Sequence, residues 1–84
     1  MILKVTKRDL KNAFYGDAFD CPIARALKRK FPKEYILVGG FDVDLGNKTY
    51  KFANGGPSSF FVNDCIRESR PFSVEILGLT EPGK

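Results

Sequence analysis

The sequence predicts an α+β fold with the element order β-α-α-β-β-α-β, in which three short helices cover one face of a small, mostly antiparallel sheet. Three segments carry apolar residues at helical spacing behind a capping residue, and each stops at a glycine or a proline. The other segments are extended, with alternating apolar and polar residues and one Gly-Asn hairpin signal. At 84 residues the chain is expected to form one domain over 1–79, followed by a flexible tail over 80–84.

The N-terminal part is predicted to form a strand over residues 1–5 and then a first helix. Thr6 is the N-cap of that helix, and Asp9 completes a shortened capping box in which Asp replaces the usual Glu. Gly16 is expected to end the helix in a left-handed conformation. The apolar face of this helix consists of Leu10, Ala13 and Phe14.

The second helix is predicted to run from Pro22 to Phe31. Proline suits the first helical position, and Pro32 disfavours helical geometry at the residue before it. Its N-cap is either Cys21, which the position of Pro22 favours, or Asp20, which side-chain chemistry favours. Two stripes follow this helix at the same period. The apolar stripe consists of Ile23, Ala26, Leu27 and Phe31, and the basic stripe of Arg25, Lys28 and Arg29.

The segment Tyr35–Leu45 is predicted to be one long extended run with a bulge or bend at Gly39-Gly40. From Phe41 onward this run alternates apolar and acidic residues. Gly46-Asn47 matches a type II′ turn, so residues 48–53 are expected to return as the partner strand.

A third helix is predicted to begin at Pro57, with Gly56 or Ser58 as its cap, and to end before Pro71. Alternation over residues 72–76 then predicts a half-buried strand. The apolar stripe of the third helix consists of Phe61, Val62, Cys65 and Ile66.

The composition argues against an enzyme. The chain has no histidine, which excludes Cys-His and Ser-His-Asp catalysis. Its two cysteines, Cys21 and Cys65, are 44 positions apart and lack the further nitrogen or sulfur ligands of a zinc site. No glycine-rich segment matches a phosphate-binding loop. We therefore expect no catalytic residues, no metal and no cofactor.

Two groups of residues have an alternative chemical interpretation. Cys21 lies at a helix N-terminus, where a thiol is either activated by the free N–H groups or serves as a capping and packing residue. Asp42 and Asp44 lie on one face of a strand, which suits either a divalent cation or the solvated face of a hairpin, with Lys48 as the ion-pair partner. The structural interpretation is preferred for both groups.

The charge of the chain suits an acidic partner. The formal charge is +4 and the isoelectric point is near 9.2, which argues against a DNA mimic because such a protein needs a dense negative face. Lys4, Lys7 and Arg8 interrupt the apolar start, so no signal peptide is expected. No run approaches the roughly 18 apolar residues of a membrane span. We therefore expect a cytoplasmic protein with free thiols and no membrane contact.

A basic face on the first two helices is the remaining candidate site. If these helices pack side by side, their cations share one side of the molecule, which suits phosphate groups or acidic side chains. Tyr15 and Phe19 are candidates for stacking on nucleic-acid bases. An ordinary solvated surface explains the same cations. The candidate partner-binding residues are Arg25, Lys28 and Arg29 on the second helix, supported by Lys7, Arg8 and Lys11 on the first.

Three segments together resemble known proteins: Val5-Thr6 with Asp9-Leu10, the run Cys21-Pro22-Ile23-Ala24-Arg25-Ala26-Leu27, and the ending Arg70-Pro71-Phe72-Ser73-Val74-Glu75. They are similar to a group of small phage and prophage proteins, which open with a strand and a Thr-x-x-Asp helix start. That group continues with a Cys-Pro-Ile-Ala-x-Ala helix and closes with Pro-Phe-x-hydrophobic. Most of its members have no assigned activity, so the resemblance implies provenance rather than mechanism.

Small accessory phage proteins often bind and block bacterial defence systems, as anti-CRISPR proteins do, and the resemblance extends that expectation to this chain by association. We expect a non-enzymatic inhibitor in the cytoplasm of a bacterial host cell. Its partner would be a host protein or nucleoprotein complex, such as a CRISPR effector, held by the basic face. The alternative is a small nucleic-acid-binding regulatory module.

Overall fold

The computed structural model describes residues 1–13 and 19–80. The α+β class is confirmed, and the elements follow one another in roughly the predicted order. Within the described ranges, no helix is long and apolar enough to cross a membrane. The elements are β1 (Ile2–Val5), α1 (Lys7–Leu10), α2 (Pro22–Lys30), β2 (Ile36–Val38), β3 (Asp42–Leu45), β4 (Lys48–Lys51), a 3₁₀ turn (Ala53–Gly55), α3 (Ser59–Glu68) and β5 (Phe72–Glu75).

The strands form two antiparallel sheets, whereas the sequence predicted one. β1 pairs with β5, with Leu3 opposite Val74, so the two ends of the described chain lie side by side. β2, β3 and β4 form a three-stranded meander. A β-bridge between Phe52 and Ile76 joins the two sheets. Because both residues of this bridge are buried, the sheets share one apolar core.

The extended run predicted over Tyr35–Leu45 is two strands. The chain reverses at Gly39-Gly40, where the N–H of Gly39 donates to the carbonyl oxygen of Asp42 at 2.8 Å. Phe41, predicted to continue the strand, lies in this turn and is 75% exposed. The bulge interpretation was therefore wrong, because two residues without side chains permit a full reversal of the chain and not only a bend. As a result β2 is an edge strand.

The second predicted turn is confirmed. Leu45 lies opposite Lys48, which leaves a two-residue loop, and Gly46 has a φ of +63°. The glutamate Glu34 lies against this turn, with its Oε1 only 2.8 Å from the place that a Cβ on Gly46 would occupy. Glycine is therefore favoured here by its backbone conformation, whereas the exposed Glu34 side chain could move aside for a Cβ.

Helix α1 starts as predicted but ends earlier. The Asp9 carboxylate accepts hydrogen bonds from the N–H of Thr6 at 2.9 Å and from its hydroxyl at 3.1 Å. The helix stops after Leu10, and Asn12 has a φ of 55°. Asparagine tolerates this left-handed conformation better than most residues do. The predicted continuation through Ala13 is therefore wrong, and the predicted end at Gly16 lies outside the described residues.

Helix α3 begins and ends with recognisable caps. The Ser58 hydroxyl accepts from the N–H of Phe61 at 3.1 Å, which selects Ser58 over Gly56 as the N-cap. At the other end Ser69 is left-handed, and the N–H of Arg70 donates to the carbonyl oxygen of Cys65 at 2.9 Å. This bond is the long bond of a Schellman motif, so the helix ends before Pro71 is reached.

Helix α2 is the centre of the core. It packs against β1 and β2 and against α1. Ile23, Ala26 and Leu27, which belong to the predicted apolar stripe, are fully buried, whereas Phe31 is only half-buried at the end of the helix. The apolar stripe of α2 thus fixes the direction in which its basic stripe points.

The serine at the end of α3 provides a test of the cap. Ser69→Gly should raise the free energy of unfolding by up to about 1 kcal/mol, because a left-handed φ strains any residue with a Cβ. Ser69→Ala retains that strain and should give no gain. Urea unfolding of the three proteins measures the difference, and a destabilised glycine variant would contradict the cap.

Candidate binding surface

The start of α2 settles which residue caps it. The Cys21 Sγ accepts a hydrogen bond from the N–H of Ala24 at 3.4 Å, so Cys21 is the N-cap and Pro22 is the first helical residue. Asp20, the other candidate, instead forms an ion pair with Arg25. The positional preference of proline therefore outweighed side-chain chemistry, because the ring of Pro22 fixes its own φ at a value suited to the first helical position.

Arg25 of the basic stripe closes the end of α1. Its Nε and Nη2 donate to the two carboxylate oxygens of Asp20 at 2.9 and 3.2 Å. Its Nη1 donates to the carbonyl oxygen of Lys11 at 2.5 Å, and its Nη2 to that of Asn12 at 3.4 Å. These hydrogen bonds satisfy carbonyl groups that the end of a helix leaves without a partner. The hydrogen bond from Arg25 also lowers the pKa of Asp20 below its ordinary value.

Arg29 of the same stripe is bound to a buried carboxylate. Its Nη2 lies 2.5 Å from Oδ2 of Asp9, and its Nε lies 3.3 Å from Oδ1. Asp9 is only 3% exposed, whereas the Arg29 side chain is 40% exposed. The same Nη2 is 3.4 Å from the carbonyl oxygen of Lys4 in β1. The planar guanidinium of Arg29 thus binds both carboxylate oxygens of Asp9 and joins α2 to α1 and to β1.

Lys28, the third predicted contact on α2, also bonds within the chain. Its Nζ donates to the carbonyl oxygen of Phe19 at 2.5 Å. The ammonium has two further N–H donors, so Lys28 can also bind an external acceptor. All three residues of the predicted basic stripe therefore lie where expected on α2, but the charges of Arg25 and Arg29 are neutralised within the molecule.

The three cations of α1 have a different environment. Lys7, Arg8 and Lys11 are exposed, and their side chains form no hydrogen bond or ion pair with residues that the structure describes. The N–H of Lys11 donates to the carbonyl oxygen of Lys7 at 3.2 Å, which places the two lysines one helical turn apart. α1 packs directly against α2, so the condition under which their cations share one side of the molecule is met. We call Lys7, Arg8 and Lys11 the α1 basic face.

Both thiols are enclosed by the fold. Cys21 is 1% exposed and Cys65 is fully buried, and neither forms a disulfide. Burial raises the pKa of the Cys65 thiol, because the thiolate would lose its hydration. A capping role for Cys21 and a packing role for Cys65 follow from these positions.

The paired aspartates of β3 have partners on β4. Asp44 accepts a hydrogen bond from the Thr49 hydroxyl at 2.7 Å, and Asp42 lies opposite Lys51. Lys48, the ion-pair partner expected from the sequence, lies opposite Leu45 instead. Among the residues with a described placement, no group of three or more potential metal ligands comes together.

Phe19, a stacking candidate from the sequence, pairs with an aromatic residue that sequence reasoning missed, Tyr35. The rings of Phe19 and Tyr35 meet edge to face, with centroids 6.0 Å apart, and are 49% and 56% exposed. Tyr35 also lines a groove of about 240 Å³ that runs along the β3–β4 turn. The sequence predicts Tyr35 as part of an apolar strand. The only sign of an exposed side chain is the charged residue Glu34 before it. Tyr15, the other stacking candidate, lies outside the described residues.

The buried ion pair predicts a large effect on stability. Asp9→Ala should lower the free energy of unfolding by about 3 kcal/mol, because Arg29 and the N–H of Thr6 lose their acceptor. The corresponding change in the exposed pair Asp64–Arg67 of α3, Asp64→Ala, should cost less than about 1 kcal/mol. Urea unfolding of both variants measures the contrast. If both variants lost the same free energy of unfolding, burial would add nothing to the strength of the Asp9 contact.

Burial of the thiols predicts slow labelling. In the folded protein neither Cys21 nor Cys65 should react with iodoacetamide at neutral pH, whereas both should react in urea. Mass spectrometry of the labelled chain counts the modified thiols. Rapid labelling of Cys21 below about pH 8 in the folded state would instead support a reactive thiol.

The chain was compared with protein-family models, with curated proteins and with solved structures, and no match was found. The likeness to small phage and prophage proteins therefore rests on the sequence segments that carry it.

Proposed function

We propose that this chain is a small non-enzymatic binding protein that holds an acidic partner through the α1 basic face. The observation that carries the proposal is the unequal use of the cations on the two helices. Arg25 and Arg29 are bonded to Asp20 and Asp9, while the side chains of the α1 basic face form no bond to the described part of the chain. Cations that do not hold the fold together are free to pair with a partner.

The α2 arginines support this function indirectly. Arg25 bonds to the carbonyl oxygens at the end of α1, and Arg29 bonds to Asp9 within α1. A helix of four residues has little stability of its own, so these contacts hold it in place. A surface that is already ordered loses less conformational entropy when it binds.

The kind of partner comes from the resemblance. Small phage proteins with this pattern imply a host target, and we propose a host protein or nucleoprotein complex, such as a CRISPR effector, that is bound and blocked. The net charge of +4 supports an acidic surface on that target. Electrostatic pairing of this kind accelerates association and weakens with added salt.

Charge reversal tests the α1 basic face. Lys7→Glu and Lys11→Glu should each weaken binding about tenfold, because each replaces an attraction by a repulsion. Lys33→Glu, at an exposed lysine beyond α2, is the matched control and should bind as the wild type does. The partner is first captured from bacterial host lysate, identified by mass spectrometry and purified. Its affinity for each variant is then measured by biolayer interferometry over a salt series.

Two outcomes would contradict the proposal. In the first, both α1 variants bind the purified partner as tightly as the wild type. In the second, Lys33→Glu loses as much affinity as the two α1 variants, which would show that binding depends only on the net charge of the protein. Phage survival in a host that carries the defence system gives the functional readout, and survival should fall with the α1 variants but not with the control.

A further inference from the structure

We propose that a second surface, formed by Phe19, Tyr35 and the adjacent groove, binds single-stranded nucleic acid. A base would stack on Tyr35, and phosphates would lie on Lys28 and Lys48. This surface is separate from the α1 basic face, so the inference does not rest on the function proposed above. We call it the Tyr35 surface.

The aromatic pair supplies the stacking platform. Phe19 supports the Tyr35 ring from the side, with their planes at 69° and their centroids 6.0 Å apart. This edge-to-face contact orients the Tyr35 ring, which remains 56% exposed. An exposed ring that is held in place is suited to stacking on a base, since every base has a π face.

The groove beside Tyr35 has the size and the polar groups for one base. Its volume is about 240 Å³, below the usual range for pockets that hold drug-sized ligands. Asp44 and Asn47 line it, and the Glu34 carboxylate lies next to Gly46 on its rim. These oxygens can accept hydrogen bonds from the amino groups of a base. They repel phosphate, so the groove is suited to the base and not to the backbone.

Two lysines supply positive charge for the phosphates. Lys28 is tied to the carbonyl oxygen of Phe19 at 2.5 Å, and its remaining donors can reach a phosphate. Lys48 is exposed and is one of the residues that line the groove. One lysine is thus bonded to the residue that supports the Tyr35 ring, and another lines the groove together with Asp44. Cations for the phosphates and oxygen acceptors for a base suit a single strand with exposed bases. A duplex keeps its bases stacked inside and cannot use this arrangement.

The test is fluorescence anisotropy with a labelled single strand of about ten nucleotides, over about 50 to 200 mM salt. Tyr35→Ala should weaken binding about tenfold, because the stacked base loses its platform. Tyr35→Phe retains the ring and should bind within about twofold of the wild type. Phe60→Ala is the matched control, since Phe60 is 83% exposed on α3, away from the groove, and should leave binding unchanged.

Heparin, a polyanion without bases, separates stacking from charge. Tyr35→Ala should leave heparin binding unchanged, while Lys7→Glu should weaken it through the α1 basic face. The proposal is overturned if the single strand does not bind at low salt, if Tyr35→Ala binds it as tightly as the wild type, or if a duplex competes equally well. Loss of a protein partner in Tyr35→Ala without any oligonucleotide binding would likewise overturn it and assign the surface to protein.

Discussion

The buried carboxylate of Asp9 is the contact on which the arrangement of the first two helices depends. It accepts from the N–H and hydroxyl of Thr6, where α1 begins, and from two nitrogens of Arg29 on α2. Burying a carboxylate is unfavourable unless its oxygens are hydrogen-bonded and its charge is paired. Asp9 meets both conditions through contacts from separate elements. This one group therefore joins the start of α1 to α2, while Arg25 holds the end of α1.

This constraint also decides which cations are free for binding. The sequence placed the strongest candidates on α2, in the stripe of Arg25, Lys28 and Arg29. In the folded chain the two arginines hold α1 in place, whereas the candidate cations of α1, namely Lys7, Arg8 and Lys11, are exposed and have no described partner. A fold this small has few buried residues to spare, so ion pairs contribute to its architecture. The proposed binding surface accordingly lies on α1 and not on α2, which carries the larger number of cations.

The parts of the fold that could be predicted are those with a local signal. The caps at Thr6 and Ser58 and the glycine turn at Gly46 depend on residues within one helical turn or one hairpin. The contacts that shape the candidate surfaces join distant residues: Asp9 and Arg29 are 20 positions apart. Such pairs depend on how elements pack, which periodicity alone does not specify. The prediction of one extended run through Gly39-Gly40 was wrong for a related reason, because the same two glycines allow either a bend or a full reversal of the chain.

Helix α2 connects the two proposed surfaces. Arg25 at its start reaches the end of α1, and Lys28 one turn later reaches Phe19, which supports Tyr35. Contacts from one buried helix therefore hold both the α1 basic face and the Tyr35 surface in place. A nucleoprotein complex presents both acidic protein groups and exposed strands, so it can occupy the two surfaces together. The combined affinity would then exceed that of either surface alone, because the second contact forms within an existing complex.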